Sequence, residues 1–154
     1  MTLRQVIRAI ERIASEQPAI RMIVRNDVFR LNTCPDAKYG TFAWLQREHS
    51  GSVDGNTIRY SFTFFYVDRL TADHGNEVEI QSTGISTLDN IIKTLDRMGI
   101  WCDSGYTFQT FNQRFLDECA GVFCNVAFDV PSGDLCPEEY DDYSEDFSED
   151  FTIY

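Results

Sequence analysis

From Thr57 to Val67 the chain carries the run that most limits what it can fold into. One parity holds Ile58, Tyr60, Phe62, Phe64 and Tyr66, while the other opens with Arg59, Ser61 and Thr63. Alternation with period two marks a strand with one face in the core. From Phe64 to Val67 both parities are apolar, so at that end the second face also needs cover, from a helix or another subunit. A strand covered on both sides belongs inside a sheet, and the rest of the chain has to supply its neighbours.

Two amphipathic segments offer cover. Thr2 with Gln5 is a capping-box pattern, and Leu3, Val6, Ile7, Ile10, Ile13 and Ala14 then share one helical face before Pro18 ends it. Behind the strand, Val78, Ile85, Leu88, Ile92 and Leu95 recur at helical spacing up to Met98, with Gly99 as a left-handed stop. Two starts remain open for this helix, at Asn76 with Glu79 or at Ser86 with Asp89. Gly84 would cost the longer version about 1 kcal/mol.

Strands are expected over Ala19 to Leu31, with a turn or bulge at Asn26 and Asp27, and over Thr41 to His49. The turn-forming residues Gly51 to Asn56 join the latter to the central strand as a hairpin. After the second helix comes a short crossing at Ile100 to Ser104. Gly105 to Phe115 then changes face, with Tyr106 and Phe108 on one parity and Phe111 and Phe115 on the other, which implies a bulge. Val122, Cys124, Val126, Phe128 and Val130 alternate to Pro131, making Cys124 an inward core thiol.

The order α-β-β-β-α-β-β predicts an α+β domain over residues 1–131, with an antiparallel sheet of about five strands and both helices packed on one face. The other face would keep Phe65, Val67, Phe123 and Ala127, which a single copy would leave exposed. Phe65 and Val67 are therefore expected at an interface between subunits.

The chain's 154 residues suffice for one domain with a core of its own. Cys34, Cys102, Cys119, Cys124 and Cys136 lack the paired spacing of a zinc site, and His49 and His74 lie far from them. No metal or cofactor is implied, and the odd cysteine count points to a reducing compartment. No apolar run nears the roughly 20 residues that span a bilayer, and no signal-peptide core precedes the first helix, so a soluble protein assembled inside the cell is expected. Net charge is −12, yet residues 134–154 hold nine carboxylates and no base. The remaining chain has 13 basic against 16 acidic residues, or −3.

That acidic arm, residues 132–154, also carries Tyr140, Tyr143, Phe147, Phe151 and Tyr154 at spacings of three, four, four and three. Such spacing puts five aromatic rings on one helical face. Composition alone fits a disordered tail; the aromatic period fits an arm that docks on another subunit or a neighbouring protein. Arg4, Arg8 and Arg12 form an i,i+4 stripe on the first helix, either a solvated face or a docking strip for the arm's carboxylates.

Catalytic signatures are missing: no phosphate loop, no His-Glu-x-x-His and no Gly-x-Ser-x-Gly. Asp68 and Arg69 with Asp73 and His74 form the best local cluster, and a capped polar connection between strand and helix explains it better than a base pair for catalysis. The sequence therefore points away from an enzyme. An acidic chain also repels phosphate, which disfavours sequence-specific DNA binding but suits a surface that lets DNA pass.

The run Tyr60 to Leu70, followed by Asn76-Glu77-Val78-Glu79-Ile80 and the helix, resembles tail-terminator or tail-completion proteins of tailed bacteriophages. The element order over residues 2–131 supports the same resemblance. Small virion proteins of phages infecting gut Bacteroidetes, crAss-like phages included, are the nearest in pattern. The resemblance implies a ring-forming virion subunit at the neck or tail, stacked on portal, adaptor or tail-tube proteins around a channel for DNA. It implies no catalytic residues. The acidic arm departs from that compact pattern, and arms of this kind commonly bind adjacent rings. A different class of function, a cytosolic adaptor that binds a basic partner through its tail, is the alternative.

Overall fold

The computed structural model describes residues 1–27, 39–51, 55–102, 105–112 and 118–132, together with the backbone of Thr152–Ile153. The elements in chain order are α1 (Leu3–Ser15), β1 (Met22–Arg25), β2 (Thr41–Gln46), β3 (Ser50–Gly51), β4 (Thr57–Arg69), α2 (Glu77–Arg97), β5 (Trp101–Cys102), β6 (Phe108–Asn112), β7 (Cys119–Pro131) and β8 (Thr152–Ile153). The fold is α+β, with both helices contributing to one large cluster on one side of the sheet.

The central run does become the central strand. β4 pairs antiparallel with β7 over its whole length, from Thr57 opposite Pro131 to Arg69 opposite Cys119, and antiparallel with β2 on its other side. The sheet runs β5-β7-β4-β2-β1-β8, with β3 added to β4 and β6 to β7. It is mixed rather than antiparallel, and it has more than five strands, because β1 lies parallel to β2 and β8 parallel to β1. Fifteen residues separate Arg25 from Thr41. That length permits the crossover a parallel neighbour needs, whereas a hairpin needs only a tight turn.

Three local expectations are corrected by packing. α2 starts at Glu77, but its buried stripe is Ile80, Gly84, Thr87, Leu88, Ile91, Ile92 and Leu95, leaving Val78 76% and Ile85 37% exposed. Gly84 sets that stripe: a Cβ there would meet the Tyr66 ring at 2.9 Å and Val122 at 3.1 Å, so the missing side chain lets the helix lie close on the sheet. β6 shows no bulge, since its register to β7 is continuous from Phe108 opposite Cys124 to Asn112 opposite Ala120. Phe108 packs against the helix-side cluster and Phe111 belongs to the other, so the strand is apolar on both faces without changing direction. Of the first strand, expected over Ala19 to Leu31, Met22–Arg25 is strand, and residues 28–31 lie outside the described residues.

A further correction bears on assembly. Met22, Val24, Ala43, Phe65, Val67, Phe111 and Cys119 form a second buried cluster, against which Tyr39, Leu45 and Phe123 pack. Phe65 is 9% exposed and Val67 0% within one chain. Phe65 and Val67 are therefore already buried within one chain, so neither is free to be the subunit interface that alternation alone suggested, whereas Phe123 and Ala127 on the same face are partly buried.

Candidate interaction surface

α1 begins with the capping box its sequence encodes: the Gln5 N–H donates to Thr2 Oγ1 at 3.3 Å and the Thr2 N–H to Gln5 Oε1 at 2.8 Å. The register so set turns Val6, Ala9, Ile10, Ile13 and Ala14 into the core and leaves Leu3 and Ile7 half-buried at its margin. Leu3, Arg4, Ile7, Arg8 and Glu11, joined by Arg25 from β1, line a groove of about 480 Å³.

Glu11 is the unexpected member. It is 2% exposed, yet its carboxylate accepts from Arg25 Nε at 2.6 Å, Arg25 Nη2 at 2.6 Å and Trp44 Nε1 at 3.2 Å. A bidentate guanidinium and an indole N–H satisfy the acid that burial would otherwise leave uncompensated. The signal was present in the sequence, since Glu11 sits four residues after Ile7 and three before Ala14 on the apolar side of the helix.

The expected arginine stripe divides. Arg12 donates through Nε to Glu16 at 3.2 Å, an i,i+4 pair. Arg4 and Arg8 make no ion pair or hydrogen bond with any described residue. The groove therefore holds three guanidinium groups against one carboxylate, a local positive excess on a chain of net charge −12. Of the arm's residues, Tyr140, Tyr143, Phe147, Phe151 and Tyr154 lie outside the described residues. Thr152–Ile153 is described and is extended strand, not helix, pairing with β1 at Met22 and Ile23. The arm thus returns to the strand that supplies Arg25 to the groove.

The polar loop before α2 is a self-contained turn. Asp73 accepts from Thr71 Oγ1 at 2.6 Å and from the Gly75 N–H at 3.2 Å, and the Thr71 hydroxyl chiefly holds its carboxyl below the usual value. His74 adopts φ +56 and places Nε2 3.4 Å from Glu118. Asn76 Oδ1 accepts from the Thr71 N–H at 2.9 Å, so its side chain braces the turn instead of capping α2. Asp68 sits beside the buried Tyr66, whose hydroxyl is held well above its ordinary pKa, first by burial and then by that carboxylate.

Cys124 is 0% exposed, and burial pushes its thiol up to about 12, which makes it a core side chain and no nucleophile. Tyr106 donates to Asp89 at 2.7 Å, and Lys93 holds the other oxygen of that carboxylate at 2.7 Å. Among the described residues no three or more His, Cys, Asp or Glu side chains are grouped to hold a metal ion. No described helix is long and apolar enough to cross a membrane.

No protein-family model matches the chain, and no curated protein matches it.

Proposed function

We propose that this chain is a virion structural protein of a tailed phage, one subunit of a ring at the head-tail junction or tail that surrounds the DNA channel. In this reading the acidic aromatic residues of the arm dock on the α1 groove of a sibling copy or of a neighbouring portal, adaptor or tail protein. The groove carries the reading. Arg4 and Arg8 are unpaired among the described residues, half-buried Leu3 and Ile7 line the same groove beside them, and the same sequence contains nine carboxylates interspersed with aromatic rings. Charge complementarity sets register and partner choice, and aromatic side chains give a contact most of its energy. The acidic balance of the whole supports passage of DNA without adhesion.

Support no longer comes from Phe65 and Val67, which the chain buries itself. Support for a basic partner is also weaker than for an acidic one, because the groove presents arginine. Particles of purified protein imaged by electron microscopy, with mass measured in parallel, test the reading. Closed rings of uniform size are expected, and R4E with R8E is expected to disperse them while leaving the helix content intact. A protein that stays monomeric at high concentration, or rings unaffected by the double charge reversal, would count against it.

A further inference from the structure

We infer that the polar half of the second sheet face is a binding site for a neutral oligosaccharide, with the indole of Trp101 as the platform on which a sugar ring stacks. The site is separate from the α1 groove and does not depend on ring assembly.

Register builds the site. Trp101 lies opposite Asp129, Asp129 opposite Arg59 and Arg59 opposite Ser50, so four strands put an indole, a carboxylate, a guanidinium and a hydroxyl in one row. Residues directly opposite one another share a face, and this face lies away from the helices, because the flanking Phe128 and Val130 belong to the helix-side cluster. The row crosses three strand spacings, about 14 Å. Four residues along β7, about 13 Å away, Asn125 stands opposite Thr63 in a second row, which Arg47 reaches from just beyond β2. Between the two rows β7 and β4 present Ala127 and Ser61, opposite each other and half-buried. Short side chains between longer ones leave a trough across the two strands.

Its walls are set before any ligand arrives. Arg59 holds the two oxygens of Asp129 at 2.8 and 2.7 Å, and Asn125 Oδ1 accepts from Thr63 Oγ1 and from Arg47 Nη1, each at 2.7 Å. These bonds fix the planes of a carboxylate, a guanidinium and an amide, while Asn125 Nδ2 donates to no described residue. Trp101 is the unsatisfied member: it is 51% exposed, and neither its ring nor its indole N–H has a partner among the described residues.

Chemistry selects the occupant. A sugar ring offers an apolar C–H face to an aromatic ring, and its hydroxyls both donate to and accept from planar polar groups beside it. The charges of the trough are answered within the face, since both guanidinium groups and the carboxylate are hydrogen-bonded to a neighbour, so nothing there calls for a counter-ion. A polyphosphate would also meet a chain of net charge −12. A protein partner needs an apolar centre, and among the described residues the trough floor offers one methyl group, that of Ala127. A neutral, polyhydroxylated ligand matches what remains.

In the test, neutral hexasaccharides of glucose, mannose and N-acetylglucosamine are titrated into the full chain, with a sulfated hexasaccharide as the charged control. The readout is acrylamide quenching of tryptophan emission, which reports Trp101 because Trp44 is 4% exposed. At least one neutral sugar is expected to shield Trp101 with a Kd of about 0.1 to 5 mM, the range of a shallow, hydrated site. Calorimetry of that sugar is expected to show binding weakened about tenfold or more by W101A and by A127Q, which fills the trough, and less by W101F, which keeps a ring. Neither position is in the core, so the helix content of each variant is expected to stay unchanged. No shielding by any neutral sugar at about 20 mM overturns the inference. So does tighter binding of the sulfated control, or sugar binding that W101A and A127Q leave intact.

Discussion

The two faces of β4 solve the same problem differently. On the helix side Tyr60, Phe62, Phe64 and Tyr66 are all buried, and the rings of Phe62, Phe64 and Phe128 sit 6.0 to 6.3 Å apart. The opposite face splits in two along its length. Arg59 grips Asp129 with bonds of 2.8 and 2.7 Å, and Thr63 and Arg47 both donate to Asn125 Oδ1 at 2.7 Å. Beyond Thr63 the same face turns apolar, with Phe65 stacked on Phe123 at 5.6 Å. A face covered by helices along its whole length is apolar throughout. A face covered at one end needs polar groups that pair across strands, here at direct register positions. The change between Thr63 and Phe65 thus marks where that face passes from polar pairing to the second apolar cluster.

The sharpest attack on this comparison goes through the seam both faces share. A Cβ at Gly121 would sit 2.0 Å from the Tyr66 carbonyl oxygen and 2.7 Å from the Phe111 ring. G121A is expected to cost about 4 kcal/mol or more in urea unfolding, because backbone has to move. A near-normal midpoint would mean that β4 and β7 do not approach as closely as described. Next come the two faces themselves: F64A is expected to lose about 4 kcal/mol and F65A about 2 to 3. If F65A proved the worse, the second cluster would be the principal core.

E11Q is expected to cost about 1 to 2 kcal/mol by thermal melting. It removes the charge from a buried carboxylate, but its Arg25 partner has a side chain 48% exposed, which moderates the loss. R59A should lose less, about 0.5 to 1 kcal/mol, since that pair lies on the partly exposed half of the second face. The smallest effect is in acid. Asp89 is held below its usual carboxyl value chiefly by Lys93, with Tyr106 adding to it. Its contribution is present above the unfolded value of 3.8 and is lost as pH falls through the lower folded value. D89N should therefore flatten the acid limb of a pH-melting curve by under about 1 kcal/mol and leave pH 7 to 8 unchanged in slope.

Local patterns were legible wherever one physical term dominated. The Thr2 and Gln5 capping box, the β4 alternation, the inward Cys124 and the left-handed Gly99 at φ +84 all follow from spacing or from backbone sterics confined to a few residues. The candidate surface was half legible: Arg4 and Arg8 stand unpaired among the described residues, whereas Arg12 is taken by Glu16 and Glu11 proves to be a buried anchor. Nothing local to α1 announces Arg25 or Trp44, which arrive from 14 and 33 residues away.

By itself the sequence determined the types of α1, α2, β4 and β7, because periods of two and of three to four record which side of each segment meets the core. Only the tertiary structure decided direction and cover. Whether β1 runs with β2 or against it, which stripe of α2 meets Tyr66, and whether Phe65 waits for a partner or is buried at home all depend on contacts between distant segments. Those contacts leave no period in the chain, since each is set by the shape that the other side brings to it.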